Sequence, residues 1–192
     1  MTDFLDAFLR DRVLALRESH LAGPVESDAR LADGIYFSWG ADKSQCMVTL
    51  SGEPGMILSF DATSHGKPGW FSLNFDLGTG SLEAGDTLVL IAEGAMTGAA
   101  GLPLFVRSNV DGALIDMPFS ETLDLHATNG IVTLFHPVHA HSGVCGKPAF
   151  HTLVASLPPT PFHVSLRALR VLRIPASRGL PSEPQTLSSL AS

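Results

Sequence analysis

The chain has 192 residues, 45% of them hydrophobic and 16% charged, with a formal net charge of −7. Such length and apolar content suit one domain with a core of its own and exclude wholesale disorder. The negative balance argues against nucleic acid or an anionic membrane as partner, since phosphate binding needs clustered Lys and Arg.

The first residues, MTDFLDAFLRDRVLALRESH, lack the basic start, unbroken apolar centre and small-residue cleavage site of a secretory signal. No window reaches the ~18–20 apolar residues that span a bilayer. The cytoplasm is therefore the expected address, although leaderless export would leave no mark in the sequence. Cys46 and Cys145 read as two thiols in a reducing compartment.

Phe4, Leu5, Phe8, Leu9, Val13 and Leu16 recur at helical spacing, which predicts an amphipathic helix from Asp3 to about Arg17 within a leading segment, residues 1–22. Thr2 or Asp3 suits its cap, and Gly23-Pro24 ends it. Its apolar stripe needs cover, either from the domain it precedes or from a second copy of the chain in a homo-oligomer.

From Asp33 the pattern changes to short alternating runs: Ile35, Phe37 and Trp39; Cys46, Val48 and Leu50; Met56, Leu58 and Phe60. Gly40, Asp42, Gly52, Pro54 and Gly55 separate them. The stretch Gly69–Glu93 is the centre of the pattern. Phe71, Leu73, Phe75 and Leu77 alternate with Ser72, Asn74 and Asp76, and Thr87–Glu93 follows a glycine-rich break. It predicts an antiparallel hairpin with one face against a second sheet. Further runs lie at Leu102–Ser108, Leu123 with Leu125, Ile131–Phe135 and Phe150–Leu157, with Asn129-Gly130 suited to a tight reversal between the two in the middle. Asp111-Gly112 and Asp116 read as loop. HVSLRALRVLR, residues 163–173, reads as a long last strand with a bulge at Ala168. Residues 176–192, rich in Ser, Pro and Leu, read as a mobile tail.

About ten antiparallel strands behind one helix predict an all-β jelly-roll sandwich over residues 33–174. The order W-F-S-L-x-F-D-L, G-D-T-L-V-L, L-F-V-R, F-H-T-L-V and V-S-L-x-x-L-R-V resembles the jelly-roll modules of the galactose-binding and carbohydrate-binding type. The resemblance rests on strand order and turn placement. It implies a lectin-like module that binds a glycan without catalysing a reaction.

Two sets of residues are candidates for chemistry. Trp70 is out of phase with Phe71 and shares the outward phase of Asn74 and Asp76. With Trp39, Tyr36, Arg107 and Asn109 these residues supply rings that stack on a sugar and a polar rim that bonds its hydroxyls. The second set is His136, His139 and His141, in a stretch that runs on to His151 and contains Cys145. Imidazole and thiolate suit Zn²⁺, so a small metal-dependent enzyme is the alternative reading. The H-x-H pair lacks the carboxylate that follows it in cupins. No G-x-S-x-G elbow, H-E-x-x-H, P-loop or dinucleotide fingerprint occurs, so no catalytic residue is assigned.

Overall fold

The computed structural model describes residues 4–40 and 45–178. The expected cap at Thr2 or Asp3, Asp42, and the tail beyond Arg178 lie outside the described residues. Helix α1 runs Phe4–Ser19. The strands that follow are β1 (Ala22–Val25), β2 (Arg30–Ala32), β3 (Ile35–Trp39), β4 (Gln45–Ser51), β5 (Leu58–His65) and β6 (Phe71–Ser81). After them come β7 (Thr87–Thr97), β8 (Leu104–Val110), β9 (Ala113–Pro118), β10 (Gly130–Pro137), β11 (Pro148–Ser156) and β12 (Phe162–Ile174). They form two six-stranded sheets, a first in the order β1-β4-β5-β12-β7-β10 and a second in the order β2-β3-β6-β11-β8-β9. Every strand pair is antiparallel.

The core lies between the sheets. Phe71, Leu73, Phe75 and Leu77 are 5%, 4%, 3% and 0% exposed, which puts their whole phase on the inner wall of the second sheet. From the first sheet Phe60, Leu88, Leu90, Ala92, Leu169 and Val171 face them. The ring of Phe60 meets Phe37 edge-on at 5.0 Å. The last strand has its expected bulge, with the register shifting between Leu166 and Ala168. The bulge lets Val164 and Leu166 on one side of it share the inner face with Leu169 and Val171 on the other.

Several local expectations are corrected. The strands begin at Ala22, before Asp33, because β1 and β2 are too short to show alternation. Pro24 sits in β1 at a sheet edge, where its missing N–H is harmless. The central hairpin is instead an arch, since β6 belongs to the second sheet and β7 to the first. Asp86, 2% exposed, builds the crossing: its carboxylate accepts from Glu83 N at 2.8 Å and Ala176 N at 3.0 Å, and Arg173 Nη1 lies 3.4 Å away. Asn129-Gly130 makes no hairpin either. Leu123 bridges Leu102, and β10 pairs with β7. Asp111 and Gly112, at φ of 53° and 87°, form the two-residue turn between β8 and β9, so Asp116 lies in a strand.

The helix fills a notch in one side of the sandwich. β6 pairs with β3 only over Phe71–Phe75, and β12 pairs with β5 only over Phe162–Leu166. Beyond those points each strand has a partner on one side alone, and α1 lies against both. Leu5, Leu9, Val13 and Leu16 are buried there, so the stripe is covered by the chain's own sheets. Phe4 and Phe8 pack over Gly80 and Gly78, where any β-carbon would run into their rings. Asp6, 5% exposed, accepts from Arg170 Nε at 2.9 Å and from its Nη2 at 2.8 Å. Carbonyls along this side are met by arginines: Arg173 Nη1 bonds Ser81 O at 3.1 Å, and Arg17 Nη2 bonds Arg167 O at 2.5 Å.

His151 is fully buried behind this helix. Its Nδ1 lies 2.8 Å from the Ser108 hydroxyl and its Nε2 3.1 Å from Gly80 O, a set that a neutral ring protonated on Nε2 satisfies completely. Burial pushes its pKa below the usual histidine value, and burial does the same to His136. The unfolded chain therefore takes up protons near pH 6.5 that the folded chain refuses. Stability should be complete above that pH and fall as the pH drops toward the folded-state values, by at most about 1.4 kcal/mol per pH unit for each ring. A pH series of thermal melts between neutrality and mild acid checks this, and His151→Gln should flatten the slope.

Candidate functional site

The outer face of the second sheet gathers most of the expected sugar-binding residues. Registers place Tyr36 beside Asn74 on β6, Asn74 beside Val154 on β11, and Val154 beside Phe105 on β8. One step along, Asp76, Thr152, Arg107 and Asp116 form a second row across β6, β11, β8 and β9. A third contains Thr79, Phe150, Asn109 and Leu114. Ser38, Ser72 and Ser156 make a fourth at the end where Trp70 stands. The centre of this face is recessed: Ser72, Asn74 and Val154 are 8%, 6% and 4% exposed, whereas Arg107, Leu114 and Trp70 around it stand in water.

Trp70 is held as a platform. Its indole Nε1 donates to Ser38 Oγ at 3.1 Å, and its ring lies over Gly40, so close that a β-carbon there would sit 3.1 Å from it. The side chain is nevertheless 57% exposed. An aromatic ring fixed by a hydrogen bond and a backbone, and still open to water, has lost its conformational freedom before any ligand arrives.

The charges on the face are answered within it. Arg107 Nε and Nη2 make paired bonds to Asp116 at 2.7 and 2.8 Å, which raises the arginine pKa further. Asp76 accepts from Thr152 Oγ1 at 2.9 Å, and burial pushes its carboxyl above the usual range. Burial raises Tyr36 as well, with the Asp76 charge adding to it. Asn74 Nδ2 donates to Ser72 Oγ at 3.1 Å and to Tyr36 O at 3.3 Å, so both of its amide hydrogens are used within the face.

Of the residues singled out in the sequence, Trp70, Asn74, Asp76, Arg107 and Asn109 share this face. Asn109 lies at its far end and also makes the β8–β9 turn, accepting from Gly112 N at 3.0 Å. Trp39 does not share it. It has the phase of Ile35 and Phe37, and its ring meets Phe71 edge-on at 6.1 Å inside the sandwich. Phe105 and Thr152 were missed. Phe105 was legible as the residue out of phase between Leu104 and Val106, whereas Thr152 is joined to Asp76 only by the register of two distant strands.

The histidines of the His136–His151 stretch are not gathered at one point. His136 is 8% exposed, with its ring 4.8 Å from that of Phe119. His139 and His141 are exposed and stacked parallel at 5.3 Å, His139 just before the 3₁₀ turn Ala140–Ser142 and His141 within it. The Cys145 thiol points to the His139 carbonyl at 3.4 Å. Among the described residues no three His, Cys, Asp or Glu side chains come together as a ligand set.

No protein-family model matches the chain, and no curated protein matches it in sequence. Among solved structures it is similar to a CBM4 module, at 13% identity over 74% of this chain and 96% of that one, with a TM-score of 0.47. It is also similar to the N-terminal cellulose-binding domain of β-1,4-glucanase C from Cellulomonas fimi, at 12% identity over 79% and 93% with a TM-score of 0.48. A third is the family 11 carbohydrate-binding module from Clostridium thermocellum, at 7% identity over 79% and 95% with a TM-score of 0.46. Likeness of this degree does not reach the ligand or the residues that hold it, so function has to be read from the face itself.

Proposed function

We propose that the chain is a non-catalytic module that binds a neutral carbohydrate on the outer face of its second sheet. The observation that carries this reading is Trp70: an immobilised, solvent-facing ring at the end of a recessed face lined with Ser, Asn and Thr side chains. The apolar C–H side of a pyranose stacks on such a ring, and its hydroxyls exchange bonds with amide and carboxylate groups. Tyr36 and Phe105 lie three strand spacings apart across the recess, roughly 14 Å, a span suited to several sugar units.

Neutrality is the reading that the charges favour. Arg107 is paired with Asp116, Arg30 (in register with Tyr36) lies 3.4 Å from Asp33, and Asp76 lies on the same face, so each of these cations already faces a carboxylate and an incoming carboxylate or sulfate meets Asp76 against it. Native affinity electrophoresis tests the reading with gels containing mixed-linkage β-glucan, xylan, galactomannan or hydroxyethylcellulose, beside gels containing alginate or polygalacturonate. Retardation by at least one neutral polymer and by neither acidic one is the expected result. Free migration in every neutral gel would end the proposal.

A further inference from the structure

A recess of about 420 Å³ opens on the opposite side of the molecule, on the outer face of the first sheet. This is within the range of roughly 300–1,000 Å³ typical of small-molecule sites. One row crosses four strands here: Thr49 on β4, Asp61 on β5, His163 on β12 and Thr97 on β7. Met47 and Thr63 make the next row, and Gly98 and Pro161 close one end.

The imidazole of His163 is fixed at both nitrogens. Its Nδ1 lies 3.2 Å from Asp61 Oδ1 and its Nε2 3.0 Å from the Ser165 hydroxyl. The order Asp–His–Ser is that of a hydrolytic relay, but Ser165 is not among the residues that line the recess. Its role is to hold the ring. Asp61 keeps its second oxygen free of the histidine, and its side chain is 69% exposed.

We infer that this recess is a second site, separate from the Trp70 face, for a single neutral hexopyranose unit. Sugar hydroxyls donate to the free oxygen of Asp61 and exchange bonds with Thr49, Thr63 and Thr97. The C–H face of the ring packs on the Met47 thioether, 49% exposed, and on Pro161. An anionic ligand is disfavoured by Asp61 itself. The site goes beyond the function proposed above and stands without it. Were both correct, one domain would hold glycan on two opposite faces and cross-link chains.

The test uses protein labelled with [methyl-¹³C]methionine and titrated with methyl β-D-glucopyranoside, methyl β-D-galactopyranoside and methyl α-D-mannopyranoside. Met96 and Met117, 2% and 4% exposed in the core, serve as internal controls. At least one glycoside should move the Met47 methyl signal along a saturable curve. Asp61→Asn, or Thr63→Val as a second variant, should weaken that binding about tenfold, and Trp70→Ala should leave it unchanged. The inference is overturned if no glycoside moves Met47 up to tens of millimolar, if both recess variants bind as before, or if ethanolamine moves the signal and the sugars do not. It is also overturned if Trp70→Ala abolishes the shift, which would make it an echo of the other face. Failure of the Trp70 face shows separately, as free migration in every neutral gel with the Met47 response intact.

Discussion

Replacing Arg170 with alanine should lower the thermal midpoint by about 4–12 °C, several times the effect of replacing its partner Asp6. The two groups form one paired contact, yet they live in different media: the Asp6 side chain is 6% exposed and that of Arg170 is 53% exposed. Removing the guanidinium leaves a carboxylate buried between helix and sheet without its cation, which costs about 3–5 kcal/mol for a fully enclosed pair and about 2–3 kcal/mol where one partner is half in water. At roughly 2–4 °C per kcal/mol for a domain of this length, the stated shift follows. Removing the carboxylate instead releases an arginine that hydrates in place, at a cost of about 1 kcal/mol or less. Combining Asp6→Ala with Arg170→Met should recover most of the loss. Equal losses for the two single variants would mean that the pair behaves as an ordinary surface bridge and that the helix is held by its apolar stripe alone.

Trp70→Ala should weaken retention by a neutral polysaccharide at least about thirtyfold, the range of a dominant aromatic contact. The same substitution should move the thermal midpoint by no more than a degree or two. The indole contributes one hydrogen bond to Ser38 and one ring face to Gly40, while the rest of it meets water. Phe71, its neighbour, gives the opposite pattern: 5% exposed on the inner wall, it should destabilise the fold by about 3–5 kcal/mol when truncated to alanine. A Trp70→Ala protein that unfolds with Phe71→Ala would place the ring in the core and remove the platform from the binding argument.

The inner wall and the outward phase of the central strand were legible in the sequence because period-two alternation fixes which side chains share a face. The same alternation, applied to Ile35, Phe37 and Trp39, already put Trp39 on the inner side. The partnership of β6 with β7 was not legible. A glycine-rich turn between two apolar runs serves a hairpin and an arch equally, and the choice rests on Asp86, whose carboxylate gathers donors from Glu83 and Ala176. Asp111-Gly112 carried a hairpin signal, but Ala113–Pro118 alternates too weakly to suggest the strand it introduces. The histidines show how far spacing falls short of convergence. His136 turns under Phe119, His151 turns inward to Ser108, and only His139 and His141 stay together.

Acrylamide quenching of Trp70 fluorescence, in a Trp39→Phe background where it is the sole indole, puts the binding face to the most direct test. With the neutral polysaccharide that retards the protein best, the quenching constant should fall as polymer is added and level off at saturation, because a sugar ring seated on the exposed indole keeps the quencher away. A constant that stays at its ligand-free value while the protein is demonstrably retarded would show that the glycan is held elsewhere, and the outer face of the second sheet would no longer be the site.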